Sequence, residues 1–173
     1  MRSDRQPHIV VMGVTGSGKT TIARQVAGMT TAQFLDTDDL HPRSNIEKMA
    51  AGIALTDEDR APWLEAVRDW IQSRSGRCVV ACSALRRRYR DVIRNVSEPV
   101  AFVHLNGEPD TIRLRMSARS GHFMLPALLE SQLALLEPLE RDEFGIVVDV
   151  GAAPGEIARL AVDFLTADRK VAR

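Results

Sequence analysis

Five short segments with strand-like composition recur along the chain, and longer stretches with helical spacing of apolar residues separate them. The segments are 8–13, 33–38, 77–83, 100–106 and 145–150. Several are apolar at every position rather than at alternate positions, which is typical of parallel strands covered by helices on both faces. The pattern therefore predicts an α/β fold built on a five-stranded parallel sheet.

Helical periodicity predicts seven helices between and after these strands. They lie at about 19–28, 43–51, 57–74, 85–95, 109–119, 126–137 and 155–168. Helices on both faces of the sheet give a three-layer α/β/α arrangement. The interval 39–76 is longer than one connection needs, so we expect a helical, substrate-binding insert there. The 173 residues, 45% of them hydrophobic, predict one domain spanning 1–173.

Charge and composition narrow the classes of partner. Lys plus Arg total 23 and Asp plus Glu total 23, so a net charge of zero offers no general attraction to nucleic acid or an anionic membrane. No apolar stretch approaches the length of a membrane span. We expect no nucleic-acid or membrane partner and a cytoplasmic location. Cys78 and Cys82, four apart in a predicted strand, are too distant for a disulfide and are expected to be buried.

A glycine-rich loop follows the first predicted strand. Gly13, Gly16, Gly18, Lys19 and Thr20 fit the phosphate-binding pattern G-x-x-x-x-G-K-[ST], between a strand and a helix as that motif requires. The lysine at position 19 is informative, because the chain has 20 Arg and only three Lys. The compact ammonium group of a lysine fits among phosphate oxygens. The nucleotide-binding residues are predicted to be Gly13, Val14, Thr15, Gly16, Ser17, Gly18, Lys19, Thr20 and Thr21. We expect ATP and Mg²⁺, with Thr20 Oγ1 on the metal.

The second strand ends in acidic residues, and the carboxyl ends of parallel strands border the ligand crevice. Asp36 and Asp38 lie two apart on one face of an extended strand. We expect Asp36 to orient Mg²⁺ through water and Asp38 to accept a proton from an attacking hydroxyl. The alternative is a solvated acidic turn. The third strand ends in Cys82-Ser83 and has no acidic residue that could orient the metal. This favours Asp36 for that role.

Two pairs of arginines have helical i, i+4 spacing. Arg86 and Arg90 are expected to project from one helical face toward an anionic substrate, although a solvated surface helix is an equal alternative. Arg115 and Arg119 precede Ser120-Gly121 and are expected to close over the transferring phosphoryl group.

The motifs, taken in order, resemble the gluconokinases of the thermoresistant type, small P-loop kinases related in fold to shikimate and nucleoside monophosphate kinases. The resemblance covers nearly the whole chain. It rests on HIVVMGVTGSGKTTIA, FLDTDDLHPRSNIEKMAAGIALTDEDRAPWL, VVACSALRRRYRD, ARSGHFM and LLESQLALLEPLERDE. The block from His41 to Trp63 is the most diagnostic, because it belongs to the predicted substrate-binding insert.

The resemblance implies ATP-dependent phosphorylation of D-gluconate at its 6-hydroxyl, giving 6-phospho-D-gluconate. It also implies a P-loop kinase fold with a lid at about 113–137, and a homodimer. The catalytic residues it implies, together with the residue chemistry, are Lys19, Asp38, Arg115 and Arg119. The implied acceptor-binding residues are Asp38, His41, Arg43, Asn45, Lys48, Arg60, Ser83, Arg86, Arg90 and His122.

The sequence departs from the family pattern at Thr37, where glycine is usual, at Ala54, where proline is common, and at Arg86, where lysine is frequent.

Two alternative functions stay open from the residues alone. One is a related kinase acting on shikimate or a nucleoside monophosphate. The other is an ATP-binding regulator that transfers no phosphate, against which the acidic pair and the arginine-bearing lid argue.

Overall fold

A single parallel sheet forms the centre of the molecule. The computed structural model describes residues 6–118 and 126–171. Its strands lie in the order β2-β3-β1-β4-β5. They are β1 (His8–Met12), β2 (Gln33–Asp36), β3 (Cys78–Ala81), β4 (Val100–Asn106) and β5 (Gly145–Asp149). The five predicted strands and the parallel sheet are confirmed, with most strands ending one or two residues inside the predicted limits.

Helices cover both faces of the sheet, as the apolar runs predict. They are α1 (Lys19–Thr30), α2 (Arg43–Ala50), α3 (Asp57–Gln72), α4 (Arg87–Ile93), α5 (Pro109–Ser117), α6 (Pro126–Leu135) and α7 (Pro154–Val171), with a 3-10 helix at Thr37–Leu40. The insert between β2 and β3 holds α2 and α3. In the part that the structure describes, no helix is long and apolar enough to cross a bilayer.

The core has two layers, one on each side of the sheet. On one side, α1 and α7 pack against β1, β4 and β5. On the other, the apolar face of α3, with Trp63, Leu64, Val67 and Ile71 buried, packs against α4 and the opposite faces of the strands. Burial raises the pKa of the Cys82 thiol to about 12, so this cysteine serves as a small core residue.

Helix α3, the longer of the two helices in the insert, begins at a capping box. The Thr56 hydroxyl accepts a hydrogen bond from the Asp59 N–H at 3.2 Å, and the Asp59 carboxylate accepts one from the Thr56 N–H at 2.9 Å. Three acidic residues in the first turn of α3 oppose the helix dipole. The cap fixes where the insert turns back toward the sheet.

The sheet order places a ligand crevice at the carboxyl end of β1. This strand pairs with β3 on one side and β4 on the other, and its own connection runs toward β2, whereas the connections after β3 and β4 run toward the opposite edge at β5. Such a switch point is where open α/β sheets bind ligands. The glycine-rich loop after β1 lies at this point.

Candidate active site

The loop between β1 and α1 is shaped to hold an anion. Gly16 and Gly18 have φ of 77° and 95°, in the left-handed region that glycine tolerates. Helix α1 starts at Lys19 with no side-chain cap and no acidic residue in its first turn, which leaves its first N–H groups for a ligand. The buried Ser17 Oγ has no hydrogen-bond partner among the described residues. These features fit the phosphates of a nucleotide.

A cavity of about 310 Å³ adjoins the outer side of this loop. Besides the loop, its lining residues include Thr21, Arg115, Ala118, Ala152 and Pro154. The Arg115 guanidinium donates to the Val150 carbonyl at 2.6 Å. The turn after β5 and the last turn of α5 therefore form the walls of a compartment contiguous with the phosphate loop.

Thr20 and Asp36 form a pair of oxygen ligands beside the loop. Thr20 Oγ1 donates to Asp36 Oδ2 at 2.7 Å, so the oxygen lone pairs of the threonine stay available. Asp36 Oδ1 accepts from the Asp38 N–H at 3.2 Å, which holds the carboxylate in place. Hydroxyl and carboxylate oxygens suit Mg²⁺, which needs few protein ligands when phosphates supply others. Among the described residues, no cluster of three or more His, Cys, Asp or Glu side chains could hold a metal by itself.

A second cavity lies on the other side of the loop, between it, the insert and α6; we call it the acceptor cleft. Five residues that were predicted to be catalytic or acceptor-binding line it together: Lys19, Asp38, His41, Arg60 and Ser83. The remaining lining residues are Thr15, Met49, Ala54, Leu55, Trp63, Leu128, Ser131 and Gln132. The cleft thus combines charged and hydroxyl-binding groups with an apolar wall.

Lys19 and Asp38 line the same cleft and are close enough to interact electrostatically. Lys19 Nζ donates to the Val14 carbonyl at 2.9 Å and attracts Asp38 electrostatically. Desolvation by the surrounding protein raises the pKa of Asp38, Lys19 opposes the shift, and Asp36 adds to it. The Asp38 side chain nevertheless keeps 78% of its surface open. Water at this exposed side chain stabilises the carboxylate and opposes the upward shift of its pKa. The ionised form of Asp38 can accept a proton.

His41 is a neutral hydrogen-bond donor in the cleft wall. Burial, with Arg60 nearby, lowers its pKa to about 4. The ring stacks on Trp63 with centroids 4.3 Å apart. Asn45 Nδ2 lies 3.3 Å from His41 Nδ1 and donates to the Asp59 carbonyl at 2.8 Å. Because Nδ2 is only a donor, His41 Nδ1 accepts and its Nε2 carries the proton.

Arg60 is a buried cation without a carboxylate partner. Its side chain donates to the Leu55 carbonyl at 2.6 Å and lies over the Tyr89 ring, 5.6 Å from the centroid. Arg60 is only 6% exposed, and it takes part in none of the ion pairs between the described residues. A buried charge of this kind is costly unless an anion compensates it.

Several predicted acceptor-binding residues do not line the cleft. Arg43 is 91% exposed and pairs with Glu47. Lys48 pairs with Asp59 at 2.8 Å, and Asn45 is the buried support of His41. Arg119 and His122 lie outside the described residues.

The predicted pair Arg86 and Arg90 requires correction. Helix α4 begins at Arg87, and Arg86 precedes it in an extended conformation, so the two arginines do not share a helical face. Arg86 lies 3.6 Å from Asp57. Arg90 is fully buried and forms an ion pair with Glu143 at 2.6 Å. Its remaining N–H groups donate to the carbonyls of Ala84, Leu85, Glu137 and Pro138. Arg90 is therefore a buried structural residue, and it does not line the acceptor cleft.

Ser131 and Gln132 are site residues that the sequence reasoning missed. The leucine-rich pattern of α6 indicated only a buried helix. Three consecutive polar residues, Glu130, Ser131 and Gln132, interrupt that apolar run and were the available signal. The Gln132 Oε1 accepts from the Thr15 N–H at 2.7 Å, which ties α6 to the phosphate loop.

Comparisons with known proteins agree with this geometry. Residues 15–144 match a family model described as shikimate kinase. The thermosensitive gluconokinase of Escherichia coli (strain K12) is 48% identical over 141 residues, covering 80% of this chain and 75% of that protein. The thermoresistant gluconokinase of the same strain is 44% identical over 142 residues, covering 80% and 81%.

A solved structure gives the same result at the level of the fold. A gluconokinase from Sinorhizobium meliloti 1021 is 42% identical, with a TM-score of 0.87, and the alignment covers 94% of this chain and 93% of that one. The predicted three-layer P-loop kinase fold is thereby confirmed. A kinase family implies the use of ATP and a phosphotransferase activity. These relatives, together with the phosphate loop and the acceptor cleft, show that the chain belongs to the gluconokinase family.

Proposed function

We propose that this protein transfers the γ-phosphoryl group of ATP to the 6-hydroxyl of D-gluconate, giving ADP and 6-phospho-D-gluconate. The observation that carries the proposal is the acceptor cleft, which has Lys19 and Asp38 beside the phosphate loop and the uncompensated cation Arg60 in its buried wall. A linear sugar acid has matching groups, since it carries a hydroxyl at one end and a carboxylate at the other. The names of the relatives support the same acceptor.

In this proposal, Asp38 accepts the proton of the 6-hydroxyl while that oxygen forms a bond to the γ-phosphorus. The bond from the γ-phosphorus to the bridging oxygen breaks, and ADP leaves with the electron pair. Lys19 would neutralise charge on the phosphates, and Thr20, with Asp36 through water, would hold Mg²⁺. The metal, when bound, supplies further neutralisation of the developing charge. Arg115, on the nucleotide side, and Arg119 are proposed to act on the phosphate groups.

Arg60 is proposed to bind the gluconate carboxylate. The other basic residues of the insert, Arg43 and Lys48, already pair with carboxylates of the chain. Arg60 instead faces the cleft with donors left over, and a carboxylate would offset its desolvation. His41 Nε2–H and the Ser83 hydroxyl provide neutral hydrogen-bonding groups for the polyol.

The test of the reaction is identification of the phosphorylated product after incubation with MgATP and D-gluconate. Shikimate and nucleoside monophosphates serve as competing acceptors in the same assay. Phosphorylation of shikimate but not gluconate would overturn the proposal. ATP binding with no product from any sugar acid would instead support a regulator. We expect Asp38→Asn to lower kcat while ATP binding is kept, and unchanged turnover would remove Asp38 as the base.

The carboxylate assignment is tested with D-glucitol, which keeps the hydroxyls of gluconate and lacks the charge. Arg60→Met should lower kcat/KM for gluconate by roughly 30-fold or more, the cost of breaking a buried ion pair. It should change the low activity on glucitol much less. Arg43→Met is the matched control and should behave like the parent protein. Equal losses on both acceptors would contradict the assignment.

The homodimer stays a prediction of the resemblance, and the cytoplasmic location stays a prediction of the sequence composition. Sedimentation velocity of the full chain at micromolar concentration measures the first, with a species of twice the 19.1 kDa chain mass as the expected result.

A further inference from the structure

Gln132 joins the phosphate loop to the opposite wall of the acceptor cleft. The residue lies on α6, and its Oε1 accepts a hydrogen bond from the backbone N–H of Thr15 at 2.7 Å. The two residues are 117 positions apart, so this contact exists only in the folded protein. Both line the cleft that also contains Lys19 and Asp38.

This contact fixes the orientation of the carboxamide. A backbone N–H can only donate, so the atom of Gln132 facing Thr15 is its oxygen. The other branch is the Nε2 amino group, which carries two donors. That group donates to no residue in the described parts of the chain. A partly exposed amide with its oxygen held and its donors unused is a fixed donor toward a ligand in the cleft.

The other polar groups of the cleft indicate which ligand atom this amide donor would bind. Lys19 and Arg60 carry positive charge and suit anionic oxygens, whereas Asp38 accepts a proton. A neutral amide donor suits a hydroxyl oxygen, of which a sugar acid has several. We propose that Gln132 is an acceptor-binding residue, oriented by the phosphate loop, that donates from Nε2 to a hydroxyl of the sugar acid. This inference rests on the proposed function, since it names a contact of that same acceptor.

The contact has a consequence for how the two substrates meet. The Thr15 N–H belongs to the loop that holds the nucleotide phosphates, so a single side chain aligns the acceptor with that loop. One hydrogen bond to a neutral partner is worth about 0.5–1.5 kcal/mol, which corresponds to a change in affinity of roughly 2- to 12-fold. Loss of Gln132 should therefore affect the acceptor much more than ATP.

The first experiment compares Gln132→Met with Gln72→Met by steady-state kinetics. Met keeps the length of the side chain and removes its hydrogen bonds. Gln72 lies on α3 and bonds only to Ser97 in the described structure, so it reports the general effect of losing a glutamine amide. We expect Gln132→Met to raise KM for gluconate roughly 5- to 10-fold and KM for ATP less than twofold. The control should change neither constant.

Provided that the parent protein phosphorylates gluconate, two results would overturn the inference. One is an unchanged KM for gluconate. The other is an equal rise in both KM values, which would mean that Gln132 only shapes the loop. Absence of gluconate turnover in the parent protein would instead refute the proposed function. If Gln132→Met does not fold, Gln132→Asn tests the same contact, because the shortened amide cannot span from α6 to Thr15 and the acceptor.

A second measurement separates direct contact from an indirect effect. Deoxy analogues of gluconate, each lacking one of the hydroxyls at C2 to C5, are assayed with the parent protein and with Gln132→Met. The analogue lacking the bound hydroxyl should lose roughly 5- to 10-fold in kcat/KM with the parent and nothing further with the variant. Losses that are the same in both proteins for all four analogues would refute the contact.

Discussion

His104 offers a direct test of how burial controls stability in this fold. It lies on β4, is 4% exposed, and neither ring nitrogen has a hydrogen-bond partner among the described residues. Burial, with Arg90 nearby, lowers its pKa from 6.5 to about 4. The ring is therefore neutral in the folded protein at pH 7, and its polar atoms are desolvated without compensation.

The perturbation is His104→Leu, which fills a similar volume without polar atoms. At pH 7.5 the change removes two unpaired nitrogens, and we expect the free energy of unfolding to rise by about 1 kcal/mol. The unfolded chain takes up a proton near pH 6.5, while the folded chain does so only near pH 4. The parent protein therefore loses stability as the pH falls through this window. At pH 5 the contribution of His104 to that loss is about 2 kcal/mol.

The assay is urea unfolding of both proteins at pH 7.5 and pH 5.0 at constant ionic strength. Buried His8 and His41 titrate in both proteins, so the difference between the two proteins isolates His104. The stability advantage of the variant should grow by about 2 kcal/mol between the two pH values. A variant that is less stable at pH 7.5, or an advantage that does not change with pH, would refute the reasoning.

Three further substitutions test other parts of the structure. Glu143→Gln leaves Arg90 buried and uncompensated and should lower the free energy of unfolding by about 3–5 kcal/mol in urea titrations; a loss below about 1 kcal/mol would contradict the buried pair. Gly16→Ala forces a Cβ to within 2.5 Å of Met116 Cγ at a φ of 77°, so we expect the Kd for ATP, measured calorimetrically, to rise roughly tenfold or more. Gly28→Ala, in open space on α1, should instead raise the melting temperature, because alanine favours a helix interior by about 1 kcal/mol over glycine; an unchanged or lower melting temperature would contradict this.

The fold could be predicted from the sequence because its signals are local. Apolar runs mark the strands, and the capping residue Thr56 with its acidic first turn marks the start of α3. The phosphate loop could also be predicted, since its glycines, Lys19 and Thr20 are contiguous and follow a strand. The burial of Trp63 and Leu64 could be predicted too, because both have helical spacing with Val67 and Ile71.

The roles of the arginines could not be predicted, because they depend on partners distant in sequence. Arg90 pairs with Glu143, 53 positions away, and burial alone would raise the pKa of that carboxyl, but hydrogen bonds from Arg90 lower it. Arg60 has no described carboxylate partner, whereas Arg43 has one four residues away. Spacing does not distinguish these cases. Only the packed structure shows which guanidinium is compensated and which faces a cleft.

The sheet order has a consequence for the kinetic scheme. The cavity beside Arg115, which we propose to hold the nucleotide, borders the connection after β5, whereas the acceptor cleft borders those after β2 and β3, and the phosphate loop after β1 separates the two. We expect each substrate to reach its own cavity whether or not the other is bound, because the two cavities share no lining residue in the described parts of the chain. Direct transfer at a shared wall then requires both substrates to be present together. In double-reciprocal plots of initial velocity, the lines at different concentrations of the second substrate should intersect rather than run parallel. Each product should inhibit competitively against the substrate whose cavity it occupies.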